Sequence, residues 1–214
     1  MIVALIVIGA VAEAAAWTLV WRRGVHVWGS LAVVLAAAGI AALATGRVAL
    51  SPRVDPWLAA AVGVGAGAAL FVATRLVVAV LAPLWPTFRR HVDAIYGQQG
   101  SWSLAVTLLA ALVVELGEEL FWRGLAQGRL SASHGRTVGA ALAWVAYVAA
   151  NLPSANLPIV AGAVVGGAVW GALAWWTGGV LACVLCHAVW TELMIALPPP
   201  ATSRRRPGRL ASPR

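Results

Sequence analysis

One short stretch near the middle of the chain combines three carboxylates with a guanidinium: Glu115-Leu-Gly-Glu118-Glu119-Leu-Phe-Trp-Arg123. On an α-helix, residues three and four positions apart share a face, so the four charged side chains form one broad stripe. Glu119 precedes Arg123 by four residues, which is the favourable order for an ion pair. Glu118 has no such local cation, and it is therefore the candidate general base.

Two other apolar segments carry polar side chains at helical spacing. Tyr147 and Asn151 are four residues apart, and so are His187 and Thr191. Together with Glu118 they supply a base, an imidazole and several hydrogen-bond donors from three helices. Such a set can polarise a water molecule and hold an oxyanion, which are the two requirements of peptide hydrolysis.

The same polar residues also fit a second interpretation, in which they hydrogen-bond neighbouring helices to each other at about 1 kcal/mol or less apiece. That interpretation stays open for Asn151, His187 and Thr191. It does not suit Glu118 and Glu119, because adjacent acids in a membrane bundle are costly and packing does not require them. The weaker candidates are Glu13, Glu115 and Glu192. Glu115 is a possible part of a cavity wall, whereas Glu192 is expected to point away from the imidazole.

The composition indicates the elements that must position these residues. The chain has 214 residues, of which 62% are hydrophobic and 10% charged, and its mean hydropathy is +0.88. These values predict an all-α, polytopic transmembrane bundle that contacts membrane lipids. We expect one integral-membrane domain over residues 1–197, with its motifs in residues 101–197, and a disordered basic tail over residues 198–214. The arginines lie at helix ends and in the tail, so the basic charge does not indicate nucleic-acid binding.

About seven spans are predicted, in residues 2–20, 27–45, 57–81, 101–130, 138–151, 159–177 and 180–197. Residues 83–100 mix aromatic residues with arginines, which favours an interfacial segment. Residues 131–137 are expected to form a turn. Gly63 and Gly67 permit a close helix approach. Arg75 is a possible partner for an intramembrane carboxylate, or else extends to the interface.

Two features of the sequence bear on a possible cofactor. Cys183-Val-Leu-Cys186-His187 matches the haem-attachment pattern, but it lies in an apolar helix without a soluble haem pocket around it. The sequence has no His-Glu-x-x-His pattern for zinc, and it offers too few ligands in its apolar segments for a catalytic metal. We therefore expect no cofactor, with zinc as the disfavoured alternative.

At these residues the sequence resembles the CPBP family, the CAAX prenyl protease and bacteriocin-processing group of intramembrane endopeptidases. Glu118-Glu119-Leu-Phe-Trp-Arg123-Gly is similar to that family's Glu-Glu-x-x-x-Arg motif. Tyr147-Val-Ala-Ala-Asn151 aligns with an aromatic residue followed four positions later by His, here replaced by Asn. His187-Ala-Val-Trp-Thr191 aligns with His-x-x-x-Asn, whose Asn is here Thr. The likeness covers residues 101–197.

The resemblance implies hydrolysis of a peptide bond near the C-terminus of a membrane-associated or lipid-modified protein, within a bacterial inner membrane. The water-activating residues would be Glu118 and His187, and the residues lining the oxyanion site would be Asn151 and Thr191. The supporting residues would be Glu119, Arg123 and Tyr147. The arginine distribution predicts a cytoplasmic C-terminus.

The two departures from the family motifs leave alternatives open. An Asn151 amide can donate to an oxyanion but cannot transfer a proton, and the Thr191 hydroxyl donates with a shorter reach. A catalytically inactive, peptide-binding membrane scaffold is therefore the first alternative. A small proton-coupled transporter is the second, although no paired half-repeat is present to indicate one.

Overall fold

The computed structural model describes residues 2–97 and 102–199, and every regular element within them is helical. The first four helices are α1 (Ile2–Arg23), α2 (Val27–Ala44), α3 (Pro56–Leu84) and α4 (Pro86–Gly97). A second group follows, comprising α5 (Leu104–Glu119), a π-helical segment (Leu120–Gln127) and α6 (Gly128–His134). The last elements are α7 (Arg136–Asn151), a 3₁₀ turn (Leu152–Ser154), α8 (Leu157–Thr177) and α9 (Leu181–Ala196). The predicted all-α class is confirmed.

Five helical segments are long and apolar enough to cross a membrane: α1, α2, α3, α8 and the run from Arg136 to Ser154. Helix α9 is apolar but shorter. The run from α5 through the π-helical segment to α6 is helical throughout from residue 104 to residue 134. These segments agree roughly with the seven predicted spans, and the chain is an integral membrane protein.

Helix α4 lies within residues 83–100, which the sequence predicts to be an interfacial segment. Its 12 residues extend about 18 Å at 1.5 Å per residue, which is too short to cross a hydrocarbon core of about 30 Å. The His91 carbonyl accepts a hydrogen bond from Asn156 Nδ2 at 3.1 Å, and the Tyr96 hydroxyl donates to the Met194 carbonyl at 3.2 Å. These bonds attach α4 to the start of α8 and the end of α9.

Glycines bring α3 and α9 into backbone contact. A Cβ atom at Gly63 would lie 2.5 Å from the Ala182 carbonyl oxygen, and one at Gly67 would lie 2.6 Å from that of Cys186. A larger residue at either position would push the helices apart. The close approach predicted from the glycine spacing is therefore confirmed, and it sets the position of the segment of α9 that carries His187.

A second close crossing joins α2 to α5. A Cβ atom at Gly39 would lie 2.7 Å from Gly117 Cα, and a Cβ atom at Gly117 would overlap the Leu35 carbonyl. Gly117 immediately precedes the paired acids of the central motif. The backbone of α5 is thus held against α2 on one side while Glu118 and Glu119 are buried within the bundle.

One expectation about local structure was wrong, and one of two alternatives for Arg75 is not found. The turn predicted at residues 131–137 is mostly helix, because α6 continues to His134 and the break occurs only at Gly135, where φ is +85°. Arg75 does not pair with a carboxylate among the described residues. It donates to the Leu197 carbonyl and lies over the Phe71 ring at 5.7 Å.

The ends of two predicted segments fall outside the described residues. Ser101, where the acidic helix was expected to begin, is one of them; α5 starts at Leu104, and the Ser103 side chain caps it by accepting from Val106 N at 3.3 Å. Disorder was predicted for the basic tail, residues 198–214. Only Pro198 and Pro199 of this tail are among the described residues.

Candidate active site

The acidic motif lies at a change of helix type. Helix α5 ends at Glu119, and the next eight residues, Leu120–Gln127, form a π-helix. Such wide turns are rare and occur frequently at functional sites. Residues 121–127 are all buried. The side chains that follow the paired acids therefore point into the protein interior.

Glu119 connects two of the three motifs. Its Oε1 atom accepts hydrogen bonds from Arg123 Nη1 at 3.1 Å and from His187 Nδ1 at 2.9 Å, and the residue is fully buried. The ion pair predicted from the four-residue spacing is thus present. Since a carboxylate only accepts hydrogen bonds, the His187 proton lies on Nδ1, which leaves Nε2 free for other contacts.

Arg123 is enclosed by aromatic rings and a carbonyl. Its guanidinium carbon lies 4.3 Å from the Tyr147 ring centre and 5.2 Å from that of Trp170, which is within cation–π range. Nη2 donates to the Gly167 carbonyl at 3.3 Å. A Cβ atom at Gly167 would lie 2.8 Å from the Tyr147 ring, so a glycine is needed for this approach.

The imidazole of His187 is fixed on its face as well as at Nδ1. It stacks on Trp170 with ring centres 3.6 Å apart and an interplanar angle of 18°. Trp170 is itself buried against Tyr147, at a centroid distance of 6.3 Å. The ring orientation of His187 is thereby determined by α5 and α8 together.

Glu13 of α1 is part of the same assembly, although the sequence ranked it among the weaker candidates. Its Oε2 atom accepts from Trp122 Nε1 at 2.7 Å, and its Oε1 atom accepts from Asn151 Nδ2 at 3.0 Å. Only 1% of the residue is exposed. The signal for Glu13 in the sequence was the high cost of burying a carboxylate in a membrane span, the same argument that selected Glu118.

The amide of Asn151 is engaged at both of its N–H bonds. Nδ2 donates to Glu13 Oε1 and also to the Tyr147 carbonyl, each at 3.0 Å. An amide has two N–H donors, so this geometry leaves none of them for an oxyanion. The remaining hydrogen-bonding atom is the acceptor Oδ1. The oxyanion donation predicted for Asn151 therefore has no free N–H in this structure.

Glu118 faces a cavity of about 220 Å³ between the helices. The Tyr147 hydroxyl lies beside its carboxyl group. All four residues predicted to be catalytic line this one cavity: Glu118, Asn151, His187 and Thr191. Tyr147, Glu13 and Glu115 line it as well, whereas Glu119 and Arg123 lie behind it. The site thus combines a carboxylate, an imidazole nitrogen and hydroxyl groups around a space large enough for a peptide bond and a water molecule.

Potential metal ligands are sparse in the part of the chain that the structure describes. No three His, Cys, Asp or Glu side chains there are grouped so that they could hold a metal ion. Cys183 and Cys186 are free thiols with no exposed surface.

The segment that carries the three motifs is similar to a known family. Residues 100–192, just under half of the chain, match the family of type II CAAX prenyl endopeptidase Rce1-like proteins. No curated protein and no solved structure matches the chain. The matched segment contains Glu118, Asn151, His187 and Thr191, whereas Glu13 lies outside it. Over residues 100–192 the chain is therefore similar to the Rce1-like CAAX prenyl endopeptidases, in agreement with the resemblance that its three motifs carry.

Proposed function

We propose that this protein is an intramembrane endopeptidase that hydrolyses a peptide bond near the C-terminus of a membrane-associated or lipid-modified protein. The family match supports a CAAX-type peptidase. The single observation that carries the mechanism is that Glu118 and His187, from different helices, line one cavity inside the bundle. Packing alone does not account for this, because isolated polar contacts between helices would have no reason to surround a common space.

In the proposed reaction Glu118 is the general base. Its carboxylate takes a proton from water while the water oxygen forms a bond to the carbonyl carbon of the substrate. The protonated Glu118 then gives that proton to the leaving nitrogen as the carbon–nitrogen bond breaks. The products are a new carboxyl terminus and a free amine, and Glu118 returns to its starting state.

His187 acts beside Glu118 through Nε2, because Nδ1 is bonded to Glu119 at 2.9 Å. Glu119 is a positioning residue in this scheme: its carboxylate sets the tautomer and orientation of the imidazole, as the acid does in a hydrolytic triad. Arg123 balances the charge of Glu119 at 3.1 Å. The Nε2 atom can therefore accept a hydrogen bond from the attacking water and orient it, while the proton that the water loses passes to Glu118.

We assign Asn151 a role other than the oxyanion donation expected from the family motif. Because both of its N–H bonds are engaged, we assign it to orient the water through Oδ1. The donors to the oxyanion are then hydroxyl groups, from Thr191 and Tyr147, which both line the cavity.

We further propose that the reaction proceeds without a metal ion. Glu119 and His187 Nδ1 already bond each other, and Arg123 bonds the same carboxylate oxygen. A metal bound by Glu119 or by His187 Nδ1 would have to displace these contacts, and Glu118 with His187 Nε2 supplies only two ligands. Dialysis of the purified protein against a chelator is expected to leave the cleavage rate unchanged, whereas recovery of a lost rate by added zinc would contradict the proposal.

The test follows cleavage of membrane-anchored candidate substrates by the full-length protein in liposomes. Removing a general base lowers a rate by about 10²–10⁴-fold, so Glu118→Gln and His187→Ala should each lose nearly all activity. Asp93→Asn is the matched control, since Asp93 lies in an exposed ion pair with Arg89 and does not line the cavity. Cleavage by both site variants at the wild-type rate would refute the mechanism.

The alternative of an inactive, peptide-binding member is favoured by one observation, the engagement of both N–H donors of Asn151. It predicts that the unmutated protein binds such substrates and never cuts them. The same liposome assay, with binding measured alongside cleavage, separates the two functions.

A further inference from the structure

One carboxylate in the cavity has no partner. Both oxygens of Glu115 are buried and accept no hydrogen bond among the described residues, although the residue is only 1% exposed and lines the cavity. No described arginine or histidine forms an ion pair with it. An acid kept in this state within a membrane bundle is costly and indicates a function that involves a ligand.

Two further unpartnered oxygens lie close to Glu115. The Thr191 hydroxyl, on α9, is buried beside it without reaching hydrogen-bond geometry, and Glu192 Oε1 is likewise buried without a partner. The group therefore offers oxygen atoms from α5 and α9 that can accept hydrogen bonds. It carries two acids and lacks a described cation to balance them.

This group lies about one helical turn from the proposed reaction centre. Glu115 precedes Glu118 by three residues and Thr191 follows His187 by four, which corresponds to about 5 Å along a helix. An extended peptide advances about 3.3 Å per residue. A substrate whose scissile bond lies at Glu118 would thus present a side chain to Glu115 from one or two residues away.

The surrounding wall suits a peptide with a cationic side chain. Trp17, Trp21 and Trp28 line the same cavity, and their indole N–H groups are buried without partners among the described residues. Aromatic faces stabilise cations, and indole N–H groups can donate to the carbonyl oxygens of a peptide backbone. The wall therefore offers acceptors for a cation and donors for the chain that carries it.

We propose that Glu115 and Thr191, which line the cavity, form a subsite for a lysine or arginine side chain of the substrate, one or two residues from the bond that is cut, with the charge of Glu192 nearby. The proposal rests on the proposed peptidase function. An ammonium group supplies three N–H donors and a guanidinium five, and either one would satisfy the unpartnered oxygens and neutralise the buried charge.

The experiment measures binding separately from cleavage. The probes are fluorescent, palmitoylated peptides in which one lysine, or its uncharged analogue norleucine, is moved along an alanine–valine sequence. Binding to the full-length protein in nanodiscs is followed by anisotropy. At one or two adjacent positions lysine should bind about tenfold more tightly than norleucine, the order expected for a hydrogen bond to a charged group.

Variants identify the source of the preference. Glu115→Gln should abolish the lysine preference while norleucine peptides bind as before, and Glu118→Gln should keep the preference although it cannot cut. Asp93→Asn is the control for loss of an acid elsewhere. Equal binding of lysine and norleucine peptides at every position would overturn the subsite, and so would a preference that survives in Glu115→Gln.

The outcomes for the subsite and for the peptidase are distinguishable. Cleavage of the peptides without a lysine preference would leave the peptidase standing and refute the subsite. A lysine preference that depends on Glu115, with no peptide ever cut, would support the subsite in an inactive protein. If no peptide binds, the subsite is refuted.

Discussion

The two ends of the cavity differ in how their buried acids are satisfied. At one end, which we call the paired end, Glu13 in the cavity wall and Glu119 behind it each accept two hydrogen bonds, those of Glu119 both at Oε1. Their donors are Trp122, Asn151, Arg123 and His187. At the other, the unpaired end, Glu115 accepts none among the described residues. The paired end is preorganised, as catalysis requires, whereas the unpaired end retains an electrostatic cost that a bound ligand can remove.

The paired end also depends on the whole fold. Its hydrogen bonds join residues 68, 109 and 138 positions apart in the sequence. They form only when α1, α5, α7 and α9 are assembled. A substitution at this end should therefore lower stability and catalysis together, while one at the unpaired end should weaken binding without lowering stability.

The largest effect is expected from Glu119→Gln. The amide oxygen can still accept both hydrogen bonds that Oε1 accepts, but the neutral amide leaves buried Arg123 without its counter-charge. Breaking a buried ion pair in this way costs about 3–5 kcal/mol. The free energy of unfolding of the full-length protein, measured by SDS titration in mixed micelles, should fall by that amount.

The matched control for Glu119→Gln is Asp93→Asn, which removes the acid of another pair with four-residue spacing. That pair is exposed, with 53% and 44% of its side chains accessible and a separation of 3.8 Å. Exposed pairs contribute about 0–1 kcal/mol. If both variants lower the free energy of unfolding by the same amount, the buried pair is no more stabilising than the exposed one. The proposed difference between the two ends of the cavity would then be wrong for the paired end.

A smaller loss is expected from Glu13→Gln. One of the two donors, Trp122 Nε1 or Asn151 Nδ2, would then face an amide nitrogen instead of an oxygen, which costs about 1–3 kcal/mol. The cleavage assay should show a lower kcat with little change in KM, because Asn151 loses its fixed orientation in the reaction centre.

A double-mutant cycle tests whether Glu13 acts through Asn151. Glu13→Gln and Asn151→Leu, alone and together, should be non-additive by about 0.5–3 kcal/mol in the free energy of unfolding, as residues in one hydrogen-bond network are. Additive losses would mean that Glu13 stabilises the bundle independently of the site.

Contacts between residues close in the sequence could be predicted from the sequence alone. Local spacing identified the Glu119–Arg123 pair. One cavity is lined by the four residues predicted to be catalytic: Glu118, Asn151, His187 and Thr191. Local helical periodicity is sufficient for such inferences, since residues three and four apart must share a face. The apolar composition was likewise sufficient for an all-α membrane bundle.

Contacts between distant segments were not accessible in the same way. Nothing in the spacing of Asn151 indicates that its amide turns toward Glu13, 138 residues away, because the register of α1 against α7 depends on the packing of the complete bundle. The π-helical segment was missed for a related reason. Its residues, Leu120–Gln127, have no sequence pattern that distinguishes a π-helix from an α-helix.

The smallest effect on stability, and the sharpest test of the comparison, is expected from Glu115→Gln. An unpartnered carboxylate is destabilising, so its replacement by a neutral amide of the same shape should raise the free energy of unfolding by roughly 1 kcal/mol. This sign is opposite to that expected for Glu119→Gln and Glu13→Gln under the same SDS titration. A loss of stability would mean that Glu115 has a partner in the folded protein and that the two ends are alike. A gain in stability with a lost lysine preference would show that the acid is retained for binding at the expense of stability, the usual trade between the two at functional sites.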